Sequence, residues 1–148
     1  MKKFSFIKIF IVYFFLISSG AAVQSNYFEE GVKLYQKNKL DESKIFFERE
    51  IVFNPENEKS YLYLAKIFYE NENDEEQEIN LNNVLLLDPQ NDEAIYMLTL
   101  LKIKQSDYKH AKELIDQFAL VCKSFCPKKN EIQEKFNQLT PENAEVKN

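Results

Sequence analysis

Cys122 and Cys126 are the residues best suited to chemistry in this chain. They are separated by Lys123, Ser124 and Phe125 and followed by Pro127. Thioredoxin-like redox sites and haem attachment both use two intervening residues, so neither pattern fits. Zinc needs four ligands; the sequence has no second cysteine pair, and its single histidine, His110, lies well upstream of Cys122. On an unbroken helix, side chains four apart run side by side, which is a poor disulfide geometry. Pro127 disfavours the α region at Cys126, so the spacing predicts a helix end near Lys123 that lets the sulfurs meet. The pair reads as a structural disulfide that closes a short loop and contributes about 2 kcal/mol. Two free core thiols, or a redox or metal role, are the alternatives.

The acidic run Glu70, Glu72, Asp74, Glu75, Glu76, Glu78 is the other chemical candidate. A calcium loop needs oxygens at alternate positions around a glycine turn and a closing bidentate Glu. No glycine is present, and the run crosses an expected helix start, where the dipole favours carboxylates anyway. It reads as a solvated face, and neither a metal nor another cofactor is expected. His110 reads as a surface residue with no role.

Composition narrows the function further. Of 148 residues, two are Cys, one is His, two are Gly and one is Arg (Arg49). Only Gly31 lies beyond residue 25, so a glycine-rich phosphate loop is excluded. Residues 1–25 hold three of the 19 basic residues and no acidic one; without them, 16 basic residues face 24 acidic ones, net −8. Such a chain is a poor ligand for nucleic acid. The residue types point away from enzymes and from a small-molecule substrate.

Residues 1–25 follow the order of a secretory signal: Met1-Lys2-Lys3, then the apolar run Ile9 to Ile17, then the small residues Ser18 to Ala22. Cleavage after Ala22 or Ser25 fits. Stretching the apolar run from Phe4 to Val23 gives the alternative, a retained membrane anchor, at the cost of burying Lys8. Export into an oxidising compartment is expected, most simply a bacterial periplasm. The membrane enters only through this segment, if it is uncleaved.

What positions these residues is a repeat. Asn54-Pro-Glu-Asn-Glu58 recurs as Asp88-Pro-Gln-Asn-Asp92, which sets a 34-residue period. The same offset pairs Tyr27 with Tyr61, Gly31 with Ala65, Leu34 with Phe68, Tyr35 with Tyr69, Phe47 with Leu81 and Ile51 with Leu85. Tyr61, Leu64, Ala65 and Phe68 share one helix face; Leu81, Val84 and Leu85 make a second stripe. Asn71 to Asp74 is a polar turn whose Asp74 is placed to cap the next helix, and Asn26 with Glu29 has capping-box spacing. Proline at 55 and 89 stops the helices before it. In a third unit from Asp92, Ile95, Leu98 and Thr99 continue the first stripe, and Tyr108, Ala111, Leu114, Ile115 and Phe118 form the second. Ile132, Phe136 and Leu139 sit at helical spacing in a last helix able to cover the open end.

This pattern resembles the tetratricopeptide (TPR) repeat family. The resemblance implies an all-α, right-handed α-solenoid of three helix-turn-helix units, 24–57, 58–91 and 92–125, within a repeat region 26–125. A capping helix at 126–139 and a tail at 140–148 complete the chain. The first helices cross closely at Gly31, Ala65 and Thr99. The small position of the second helix is Ser43, Gln77 and Ala111, where Gln77 departs from the family. The closing proline is Pro55 and Pro89 but Lys123 in unit three. The layout is similar to small exported bacterial TPR proteins with a cysteine pair after the last repeat.

The family builds its concave face mainly from first helices. Carried over, the partner-binding candidates are Phe28, Val32 and Tyr35; Leu62, Tyr63, Lys66 and Tyr69; and Tyr96, Met97, Leu100 and Ile103. These are mostly aromatic and apolar, which suits an apolar peptide or helix. At the positions where carboxylate-gripping TPR domains carry Lys and Asn, this chain has Phe28 and Val32, Leu62 and Lys66, and Tyr96 and Leu100. Only Lys66 can pair with an anion there. The expectation is a non-catalytic scaffold in the cell envelope with a protein or peptide partner. A redox accessory using Cys122 and Cys126, or a membrane-tethered assembly factor, is the alternative.

Overall fold

A computed structural model describes residues 26–139. The signal or anchor expected at 1–25 and the tail at 140–148 lie outside the described residues. The described chain folds as α1 (Tyr27–Gln36), α2 (Leu40–Phe53), α3 (Glu58–Glu70), α4 (Asp74–Leu87), α5 (Asp92–Lys104), α6 (Tyr108–Val121), a 3₁₀ turn (Cys126–Lys128) and α7 (Lys129–Leu139). There is no strand among the described residues. Each helix packs on its neighbours in sequence, and α7 lies against both α5 and α6. The all-α solenoid expected from the repeat is the fold found. None of the described helices is long and apolar enough to cross a membrane.

The repeat period reaches down to single backbone angles. Each turn inside a hairpin passes through one left-handed residue, Asn38, Glu72 or Ser106, at φ 57°, 53° and 61°. The next amide then bonds back to the preceding helix: Lys39 to Leu34 O, Asn73 to Phe68 O and Asp107 to Lys102 O, at 3.0, 2.9 and 2.9 Å. Asn57 and Asn91 cap α3 and α5 by accepting from the amides of Ser60 and Ala94; Asn73 and Asp107 do the same for α4 and α6 with Glu76 and His110. Each such cap contributes on the order of 1 kcal/mol.

Two expected caps are corrected. Asp74 is the first helical residue of α4, and the cap is Asn73. Asn26 makes no side-chain cap bond, because its backbone (φ −91°, ψ 26°) is not in the extended region that aims a capping oxygen at the first turn.

Gly31, Ala65 and Thr99 are all buried at the helix crossings. A Cβ on Gly31 would stand 2.8 Å from the Phe47 ring, so only glycine fits there without displacing that ring. Ser43 uses its small size differently: its hydroxyl donates to Gly31 O at 2.8 Å, tying α2 to α1.

The core falls into three clusters, one at each junction. Phe47, Leu64, Ile67 and Phe68 join units one and two. Leu62, Ala65, Leu81, Val84, Ala94, Leu98 and Leu101 join units two and three. Ile95, Ile115 and Phe118 receive Ile132 of α7, which is fully buried. Leu139, expected to help cover that end, is 55% exposed instead, because it is the last residue of α7 and stands past the buried contact that Ile132 makes.

The end of α6 has no proline. The helix stops at Val121, one repeat period after Leu87, and Cys122 turns the chain extended at ψ 139°. Cys122 and Cys126 are disulfide-bonded, with Cα atoms 5.0 Å apart. The helix thus ends close to the expected Lys123, but it is Cys122 that leaves the helical region, while Cys126 lies in the 3₁₀ turn with Pro127. The freed amides of Lys123 and Phe125 donate to the Asp92 carboxylate at 2.6 and 2.8 Å.

Candidate functional site

Nine of the eleven candidate residues of the first helices separate into two groups; Leu62 and Lys66 belong to neither. In the first, Phe28, Val32 and Tyr35 of α1 lie against Tyr63 of α3, over Phe47. Tyr63 stacks on Phe47 with centroids 4.8 Å apart and planes 10° from parallel; Phe28 and Tyr35 meet the same ring at 5.9 and 5.1 Å, edge-on. These rings fill the space between units one and two. Leu62 is buried in the cluster joining units two and three, so its side chain is core rather than contact surface.

Lys66 does not face solvent alone. Its ammonium lies 2.8 Å from a Glu93 carboxylate oxygen and 5.2 Å from the Tyr63 ring centroid. The cation that sequence reasoning left available for an anion is already paired across α3 and α5.

In the second group the structure brings Tyr69, Tyr96, Met97, Leu100 and Ile103 together around an open cleft of about 820 Å³. The α5 residues Tyr96, Met97, Leu100, Leu101 and Ile103 make up most of its apolar lining. Tyr69, at the last turn of α3, stands 58% exposed on one wall. Gln77 of α4 and Lys135 and Leu139 of α7 complete the lining. Gln77 occupies the position that is Ser43 and Ala111 in the flanking units, and its bulk is part of the wall. The α7 residues were outside any first-helix pattern; the signal that could have pointed to them is Leu139, one helical turn beyond Phe136 on the last apolar stripe.

The rim is charged. Glu70, Glu72 and Asp74 stand on one side. Asp74 is held by Lys104 at 2.7 Å; outside the cleft lining, Lys102 bridges to Glu78 at 2.6 Å. The Lys102 hydrogen bond is the main reason the Glu78 carboxyl sits below its ordinary range, with a smaller contribution from Gln105. At the other end, Tyr96 donates to Glu131 of α7 at 2.9 Å. Burial first, and then that bond, push the Tyr96 hydroxyl up to about 12, so it stays a donor at any physiological pH. Lys128 and Tyr96 together keep the Glu131 carboxyl low. Among the described residues no group of His, Cys, Asp and Glu is arranged to hold a metal.

No family model matches the chain, and no curated protein matches it in sequence. Solved structures do match in shape. The first TPR domain of Spaghetti (RPAP3), bound to the HSP90 peptide SRMEEVD, superposes with TM-score 0.69 at 17% identity, over 81% of this chain and 98% of that one. The Sgt2 TPR domain from Aspergillus fumigatus superposes with TM-score 0.63 at 15% identity, over 87% of this chain and 85% of that one. The fold is that of a TPR domain.

Proposed function

We propose that the chain is a non-catalytic scaffold that holds an apolar peptide or helix of a protein partner in the cleft between α3, α5 and α7. The single observation that carries this reading is the open, apolar-lined cleft on the face that first helices build. Tyr, Met and Leu supply contact area there, and Tyr69 adds a hydroxyl at the wet edge. Glu70 and Glu72 on the rim favour a partner with a basic residue beside its apolar anchor. The Spaghetti domain was solved with an acidic peptide; the acidic rim and the Lys66–Glu93 pair make an acidic ligand a poor fit here. Export by residues 1–25 belongs to the same reading, with the scaffold in the periplasm or on its membrane face, where a Cys122–Cys126 bridge is stable.

Peptide-display selection against the full chain tests the cleft. Selected peptides are expected to be apolar with a basic flank, and Leu100→Glu to weaken them at least about tenfold. Phe28→Ala, on the closed half, is the control and leaves binding unchanged. Equal binding by Leu100→Glu would remove the cleft from the function.

A further inference from the structure

The two edges of the stack differ in chemistry. At one edge lie the turns inside the hairpins, Lys37-Asn38-Lys39, Asn71-Glu72-Asn73 and Gln105-Ser106-Asp107, all polar. At the other edge, beside the polar links 54–57 and 88–91, every second helix finishes on two apolar residues: Val52-Phe53, Leu86-Leu87 and Leu120-Val121. The first of each pair stands in water, at 76%, 79% and 86% exposure, the highest among the large apolar side chains of the described residues. Ile45 and Ile79, two helical turns earlier on α2 and α4, are each 47% exposed and extend the patch up the outer faces of those helices. One exposed leucine is ordinary; the same position apolar and exposed in three successive repeats is a surface.

The chain enters the fold at this edge. Tyr27, the first residue of α1, stacks on Phe53 with centroids 5.7 Å apart. Along the sequence only Gln24, Ser25 and Asn26 separate Tyr27 from Val23, the end of the apolar stretch Phe4 to Val23. Four residue steps span at most roughly 14 Å. A bilayer that retains that stretch up to Val23 lies within that distance of Tyr27, at the first unit's end of the apolar edge. The charges nearby are mixed, Lys123 and Lys129 towards the third unit and Glu56 and Asp88 towards the others, so apolar contact rather than charge has to hold the edge.

We propose that the edge carrying Val52, Leu86 and Leu120 rests on the membrane in which the N-terminal stretch is retained, its three side chains entering the lipid interface. This rests on the retained-anchor alternative for residues 1–25, not on export alone, and is independent of what the cleft binds. It turns the solenoid so that the turns inside its hairpins point away from the lipid.

The full chain, with its native disulfide, is reconstituted in phosphatidylethanolamine–phosphatidylglycerol vesicles. Val52→Cys, Leu86→Cys and Leu120→Cys variants each carry an environment-sensitive fluorophore, with Asn38→Cys and Ser106→Cys as controls on the polar edge. The expected result is a blue shift and quenching by lipid-borne quenchers at all three apolar positions, unchanged in high salt, and water-like emission at both controls. Water-like emission at all five positions would overturn the proposal. So would labels at 52, 86 and 120 that are dry but unreached by lipid quenchers, which would assign the edge to a second copy or to the chain's own N-terminal stretch. Native protein beginning after Ala22 or Ser25 would overturn it too, while leaving export intact. Unprocessed protein confined to the cytoplasm would sink export and this proposal together.

Discussion

Tyr63 and Met97 occupy the same place in successive first helices, one repeat apart, and meet opposite ends. Tyr63 lies flat on Phe47, enclosed by Phe28 and Tyr35. Met97 lines an open cleft. A second pair of matched positions shows the same split: Tyr35 packs edge-on against Tyr63, while its counterpart Tyr69 stands out in solvent. The difference lies in volume. Between units one and two, four aromatic rings fill the hollow that a pair of hairpins leaves. Between unit two, unit three and α7, aliphatic side chains leave that hollow unfilled, and Gln77 takes a wall position that a small residue holds elsewhere. Repeat geometry provides a groove along the whole face; side-chain size decides which part of it stays open.

The largest expected effect comes from breaking the closed half. Phe47 is fully buried and carries the stack. Phe47→Ala is expected to cost about 3–5 kcal/mol in denaturant unfolding, and to leave Tyr63 open to nitration in the protein that still folds. A loss below about 1 kcal/mol would put the mutation among ordinary surface changes and mean that the rings are not core.

How far the sequence reaches is clear from particular residues. The repeat offset set the helix bounds, since the same turn, crossing and cap chemistry recurs at each step: Gly31, Ala65 and Thr99 are buried as their size demanded. Caps at the boundaries were displaced where two polar residues stand together, as with Asn73 and Asp74, because the choice depends on one backbone angle. The division of the concave face was not legible. A stripe such as Tyr63-Lys66-Tyr69 reads the same whether a ring across the groove covers it or not, and Phe47, which does the covering, sits in the other helix. Asp92 was invisible for a related reason. As a first-turn acid it looks like a dipole partner, yet its carboxylate also holds the distant loop at Lys123 and Phe125.

Asp92 offers an intermediate effect, confined to the open half. Burial by itself pushes its carboxyl up, but the amides of Phe125, Lys123, Ser124 and Glu93 outweigh this and bring it below its ordinary 3.8. A carboxyl lowered in the fold adds stability that is present above its unfolded value and lost as pH falls through its folded one. Asp92→Asn is therefore expected to cost about 1–2 kcal/mol at neutral pH and to flatten the acid limb of the stability profile below about pH 4. An unchanged acid limb would mean that the disulfide alone positions the loop before α7.

The smallest effect separates the turns of the two halves. Asn38 and Glu72 hold the same left-handed conformation, at φ 57° and 53°. Asn tolerates that region because its short amide can bond locally; for Glu the Cβ contact with the following carbonyl costs roughly 1 kcal/mol. Glycine removes the contact but starts from a looser unfolded chain, which returns part of the gain. Glu72→Gly is thus expected to stabilise by about 0.5 kcal/mol and Asn38→Gly to change little, measured as midpoint shifts in urea at constant slope. The opposite order would show that backbone strain does not distinguish the turns, and that the Glu72 side chain, on the rim of the cleft, contributes to the fold through contacts of its own.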